Sequence, residues 1–212
     1  MVILHVSRRS VKMSGMRMQE FNDAVGACVR SGTACLTLGD LAALTREGGA
    51  TLRATIRRMC DVGRIVAAGN GVYVPVETMR GDGAADLLHH VAAAMRRGDL
   101  TYVSFESALS EYGVISQIPI GRLTLMTTGR RGVFPTPWGE IEMVTTRRPA
   151  DDIMEGLVSN GRPLPYATPD RAMADMRRAG RSLDLADLAA LREVAREINE
   201  VRGHGHELEA AF

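Results

Sequence analysis

Arginines and carboxylates are the residues of this chain best suited to chemistry, and their spacing assigns them different work. The run TLRATIRRMC, from Thr51 to Cys60, interleaves three arginines with apolar residues. Wound at 3.6 residues per turn, Leu52, Ile56, Met59 and Cys60 gather on one side of a helix, while Arg53, Ala54, Arg57 and Arg58 take up the rest of its surface. A guanidinium group can bind guanine O6 and N7 through two parallel hydrogen bonds or clamp a phosphate, and Thr51 and Thr55 can add short hydrogen bonds. The same pattern also suits a face that meets only water.

The carboxylates suggest a different chemistry. Glu106, Glu140, Glu142, Asp151 and Asp152 fall in a region read as a mixed sheet with helices, and EIEMV carries two glutamates on one side of a strand. Metal-dependent nucleases hold a divalent cation in such carboxylates, commonly with a lysine beside them to stabilise developing charge. The chain's one lysine is Lys12, far away in sequence, and no arginine stands in for it within that strand. Alternating glutamates on a strand are also the ordinary pattern of a solvent face. No GxSxG, Walker loop or HExxH is present. His89 and His90 are neighbours on a helix and so diverge, and Cys28, Cys35 and Cys60 lack ligand or disulfide spacing. The sequence therefore predicts no catalytic residue, no metal and no cofactor.

Composition narrows the setting. The chain has 212 residues, 45% of them hydrophobic and 24% charged, enough to bury a substantial core. No window has the roughly 18 uninterrupted apolar residues of a membrane span, and MVILHVSRRSVK reverses the order of a secretory signal, so a cytoplasmic protein without a membrane partner is expected. The net charge of +1 conceals an asymmetry: residues 1–75 hold ten Lys/Arg against five Asp/Glu. The basic surplus lies at the N-terminal end, where an anionic partner would be met.

The elements that must position these residues follow from local pattern. Residues 1–15 form a basic arm with Arg8, Arg9 and Lys12. Met18, Phe21, Val25 and Val29 recur at helical spacing until Gly32, and Thr37 with Asp40 makes a capping-box variant for a short second helix. The arginine helix spans Ala50 to Val62 and stops at Gly63. RIVAA and VYVP then form a hairpin around Gly69-Asn70-Gly71. Helix, short helix, helix and hairpin is the order of a winged helix-turn-helix over 16–76, whose third helix enters the major groove. Arg64 starts the wing, where it meets a phosphate or covers the sheet edge. Asn70 is a turn former or a contact at the tip.

A polar linker over 77–84 leads to a second, mixed α/β domain over 85–202 and a flexible tail over 203–212. In that domain Ser104 caps the helix FESALSEY, RLTLMTT and GEIEMVTT are paired strands, and Thr168-Pro169 opens a further helix. A stripe of Leu185, Leu188, Leu191, Val194 and Ile198 marks the last helix. Trp138, alone at a Pro/Gly turn, is a partner anchor or a lid over the second core. The fold class expected is α+β: a winged helix-turn-helix followed by a mixed α/β domain.

With these segments in order, the chain resembles the AbiEi-type antitoxins of bacterial toxin-antitoxin and abortive-infection systems. The winged region, YVSFESALSEYGVI, LTLMTTGRR, TPWGEIEMV and YATPDRAMADMRR carry the resemblance, over roughly Leu36 to Arg178. It implies a protein that represses its own operon by binding double-stranded DNA at inverted repeats. It also implies that the second domain counteracts a co-encoded nucleotidyltransferase-like toxin. Position by position, Thr51, Arg53, Arg57, Arg58 and Asn70 inherit the role of DNA contacts, while Ala108, Leu109, Ala172 and Met173 fall in framework helices.

Two other readings stand beside it: a stand-alone regulator whose second domain binds an effector or partner, and the nuclease built on Glu140 and Glu142. If the arm touches phosphates, removing Arg8, Arg9 and Lys12 will weaken binding to every DNA sequence and flatten its salt dependence. Anisotropy titrations across a salt series check this, and an unchanged slope rules the arm out.

Overall fold

The structure, a computed structural model, describes residues 18–80, 84–116, 121–184 and 186–209. The chain is a mixed α+β protein with eight α-helices and two sheets among the described residues. Arg8, Arg9 and Lys12 lie outside these residues.

The N-terminal part is α1 (Met18–Arg30), β1 (Leu36–Thr37), α2 (Leu38–Thr45), α3 (Gly49–Asp61), β2 (Ile65–Gly69) and β3 (Val72–Pro75). Phe21, Val25, Leu41, Leu52, Ile56 and Met59 make its core, because each helix turns one apolar stripe inward. The capping box at α2 forms as the sequence predicts: Asp40 N–H donates to Thr37 Oγ1 at 3.2 Å and Thr37 N–H to Asp40 Oδ2 at 2.7 Å. At the end of α3, Gly63 takes φ 66°, and Arg64 N–H donates to the Met59 carbonyl at 2.9 Å. That left-handed cap turns the chain straight from helix into hairpin. The sequence pattern missed β1, whose two residues pair with β3 to complete a three-stranded sheet in the order β1-β3-β2.

The rest comprises α4 (Ala84–Met95), β4 (Thr101–Val103), α5 (Phe105–Glu111), β5 (Arg122–Thr127), β6 (Gly132–Thr136), β7 (Gly139–Thr145), α6 (Ala150–Glu155), β8 (Leu157–Val158), β9 (Tyr166–Ala167), α7 (Pro169–Arg178) and α8 (Leu188–Glu209). Its sheet runs β6-β7-β5-β4-β9-β8. The expected pairing of RLTLMTT with GEIEMVTT holds and is parallel, in register from Arg122 opposite Glu140 to Thr127 opposite Thr145. The intervening GVFPT is a strand as well, lying antiparallel on the outer edge of β7. Trp138, in the β6-β7 turn, is half-buried against this core rather than free.

Two expectations need correction. The backbone of α8 runs helical to Glu209, so the segment expected to be a tail over 203–212 is helix for most of its length. The helical register set by the preceding residues carries through Gly203 and Gly205, each of which costs only about 1 kcal/mol. Leu188 of the expected stripe is exposed and Leu191 is buried; Leu185 lies outside the described residues. The hairpin before 77–84 contributes to two buried clusters: Ala68, Val72 and Val74 join Leu87, Val91, Tyr102 and Ile141, while Ile65 stays with α1 to α3. Strand alternation explains it. Ile65 and Tyr73 point to the helices, and Val72 and Val74 point the other way onto α4 and the large sheet.

One core residue makes stability sensitive to pH. His89 is 4% exposed; Tyr166 stacks on its ring, and the Tyr166 hydroxyl lies 3.2 Å from its Nε2, while Nδ1 has no partner. Burial first, and then the Arg162 and His90 charges, push its pKa down from 6.5 to about 4, against the opposing pull of Asp86. Below pH 6.5 the unfolded chain binds a proton that the folded chain excludes, so stability is full above pH 6.5 and falls between pH 6.5 and 4. Between pH 7 and 5 this amounts to about 2 kcal/mol. Urea unfolding of the wild type and His89→Leu at both pH values should show that extra destabilisation only in the wild type; equal changes would mean that His89 protonates within the fold.

Candidate nucleic-acid interface and a buried ion network

The arginine face of α3 is where the sequence places it. Arg53, Arg57 and Arg58 are exposed and Thr51 is half-buried, with Leu52, Ile56 and Met59 on the opposite side. Arg53 and Arg57 form no ion pair among the described residues, so no carboxylate competes for their donors. They stand at i and i+4, one above the other on the helix. The helix starts at Gly48-Gly49 without a side-chain cap.

Thr55 is a correction. It is 2% exposed and belongs to the inner face, because 52, 55, 56 and 59 follow the i, i+3, i+4, i+7 rule. Its hydroxyl makes it read as polar in the sequence, but a threonine has nearly the shape of valine and packs where its angle on the helix takes it. It is out of reach of DNA.

The hairpin divides the two remaining candidates. Asn70 sits exposed at the tip with φ 51°, between Gly69 and Gly71, both also at positive φ, so its turn-forming role is met. Arg64 is exposed at the other end, just before the Ile65–Pro75 pair that closes the base. At about 3.3 Å per strand residue the two are more than about 13 Å apart, so they do not form one patch. The tip also abuts the large sheet: a Cβ added at Gly69 would stand 3.3 Å from the Pro135 carbonyl oxygen of β6.

Four of the five carboxylates that could have held a metal, Glu106, Glu140, Glu142 and Asp152, pair with arginines instead. Arg181 donates to Glu106 at 2.6 Å and to Glu142 at 2.5 Å, and Arg122 lies 3.6 Å from Glu142 and 3.8 Å from Glu140. The Arg181 guanidinium covers the ring of Phe105 at 4.4 Å. Gly180, at φ 67°, ends α7 and turns Arg181 back toward these partners. Asp152 accepts from Arg171 at 2.7 Å and from Arg148 at 3.2 Å, and these hydrogen bonds hold its carboxyl below the usual range. Among the described residues no cluster of three His, Cys, Asp or Glu is placed to hold a metal ion.

Sequence reasoning missed the centre of this domain. Asp175, 0% exposed, accepts from the Ser104 hydroxyl at 2.9 Å and the Tyr102 hydroxyl at 3.1 Å, with Arg148 at 3.5 Å on its other oxygen. Burial, and then the Asp175 charge, raise the pKa of Tyr102 and keep its hydroxyl protonated as a donor. Ser104 occupies the N-cap position of α5 but gives its hydroxyl to Asp175. The cap comes from Thr124 of β5, which accepts from Ser107 N–H at 3.2 Å. Phe105, between them, is held at φ 55°, which is rare for a bulky residue. YVSFES and DRAMADMRR therefore converge on one buried carboxylate. An aspartate on an apolar helix face, six residues after Pro169, was the signal that could have found it.

No protein-family profile and no curated protein sequence matches this chain. Among solved structures, the crystal structure of the RV2827C protein from Mycobacterium tuberculosis is similar, with a TM-score of 0.53 at 16% identity, over 84% of this chain and 71% of that one. At that identity the likeness is one of fold. Among the described residues no helix is long and apolar enough to cross a membrane.

Proposed function

We propose that the chain is a DNA-binding antitoxin, in which a winged helix-turn-helix formed by α1 to β3 represses the operon that encodes it. The second domain counteracts a nucleotidyltransferase-like toxin made from the same operon, and the protein has no catalysis of its own. The observation that carries the DNA half is the α3 face, where Arg53 and Arg57 are exposed, unpaired and adjacent on a helix anchored by its opposite side. The antitoxin half rests on the order of the segments that resemble the AbiEi type. The meeting of Tyr102, Ser104 and Asp175 supports treating those segments as one frame.

In this reading α3 lies in the major groove, with Arg53, Arg57 and Arg58 reaching base edges or phosphates and Thr51 at the groove's margin. Asn70 approaches the backbone from the hairpin tip. Arg64 stands apart and contributes general positive potential.

Fluorescence anisotropy on the DNA upstream of the protein's own gene, against scrambled DNA, tests the repressor half. Arg53→Ala/Arg57→Ala should cost on the order of 1–3 kcal/mol of specific affinity for each guanidinium that pairs bidentately with a base, with the fold intact. Thr55→Val should leave affinity unchanged, because that side chain is inside. Equal affinity for both DNAs in the wild type would sink the repressor reading.

The antitoxin half is tested separately, with the toxin driven from a foreign promoter. The full-length chain should rescue growth, and its Arg53→Ala/Arg57→Ala variant should rescue equally well. Rescue that disappears together with DNA binding would mean that protection acts only through transcription.

A further inference from the structure

Most arginines of the second domain whose side chains are placed in contacts meet a carboxylate: Arg122, Arg148, Arg162, Arg171 and Arg181 all do. Arg130, Arg131, Arg147 and Arg178 do not. All four are exposed, have no carboxylate partner among the described residues, and line one cleft of about 680 Å³. They reach it from three places: the β5-β6 turn, the segment after β7, and the last turn of α7. The cleft is lined also by the apolar groups of Met126, Val144 and Ala179. The one acidic lining residue, Asp175, is already engaged by Tyr102, Ser104 and Arg148.

The turn that carries two of these arginines is held rigidly. Thr145 donates its hydroxyl to the Gly129 carbonyl at 2.9 Å, Gly129 N–H donates to Thr127 Oγ1 at 3.1 Å, and Arg96 donates to the Arg130 carbonyl at 2.6 Å. The backbone of 129–130 is thus fixed while the guanidinium groups stay free. Four like charges around one concavity repel each other, and an anion relieves that repulsion. Guanidinium groups pair bidentately with phosphate oxygens, and a volume of several hundred Å³ with apolar lining is that of a small-molecule site.

We propose that this cleft binds a nucleoside di- or triphosphate, its phosphates among Arg130, Arg131, Arg147 and Arg178 and its ring system over Met126 and Val144. The site lies apart from α3 and does not depend on the DNA-binding reading. Closely spaced phosphates are also found in inorganic polyphosphate and along nucleic acids, and the favoured source is the free nucleotide because the cleft offers apolar lining beside the charges.

The test is calorimetric titration of the full chain with ATP, GTP, inorganic tripolyphosphate and a DNA duplex. Saturable one-to-one nucleotide binding, tighter than tripolyphosphate, is expected. Arg130→Ala/Arg147→Ala should weaken it about tenfold or more, since each removed group takes away charge-assisted hydrogen bonds. Arg53→Ala/Arg57→Ala should leave it unchanged. No saturable binding of either nucleotide overturns the proposal. So does equal affinity for tripolyphosphate, or a cleft variant that binds DNA more weakly while keeping its nucleotide affinity.

Discussion

The hairpin β2-β3 is buried on both faces, and the rest of the molecule is arranged around that constraint. Ile65 and Tyr73 pack on the three helices, while Val72 and Val74 enter the core shared with α4 and the six-stranded sheet. Burying each valine fully stabilises the fold by about 1.5–3 kcal/mol. The ion pair that also links the two halves, Arg97 to Asp40 at 2.8 Å, involves an exposed arginine and contributes less than about 1 kcal/mol. Apolar packing through the hairpin, more than that salt bridge, fixes the orientation of α3 to the large sheet. A hairpin committed on both faces has only its tip and edges left free.

Legibility in the sequence follows the range of the interaction. The capping box of α2, the glycine stop of α3, the Gly-Asn-Gly turn and the Thr168-Pro169 start of α7 are local, and each is readable from a few adjacent residues. The arginine face is readable because one helix period decides it. Thr55 is misplaced when residue type is weighed above angular position, and β1 escapes because two residues carry no period. That the hairpin reaches two clusters is hidden for a different reason. A polar stretch over 77–84 reads as a linker, yet the surfaces that meet are the far faces of strands before it and helices after it. Nothing in the strand pattern says what will cover a second apolar face.

The arginine economy of the second domain separates framework from surface. Arg148 and Arg171 join Asp152, and Arg181 joins Glu106 to Glu142, across elements remote in sequence. These pairs tie separate elements together in fixed geometry, and solvent at Asp152 screens part of their attraction. Such arginines are structural. The ones at 130, 131, 147 and 178 are exposed and have no carboxylate partner among the described residues. Arg96, beneath them, has its pKa lowered by burial first, with Arg130 adding to that against the pull of Asp99.

Arg147 and Arg148 compress the distinction into two residues. Arg147 is exposed, while its neighbour Arg148 is half-buried. Arg148 turns inward to Asp175 and Asp152, and Arg147 turns outward to the cleft. Asp175 itself sits in the wall of that cleft and binds Tyr102 and Ser104 behind it. A buried carboxylate surrounded by donors contributes little net stability, because desolvation offsets most of the attraction. It does fix positions, since each donor has one place to point. The Asp175 network therefore sets the spacing between α7, which carries Arg178, and the strand end that carries Arg147. Through that one aspartate the frame made by Tyr102, Ser104 and α7 is joined to the charged surface beside it.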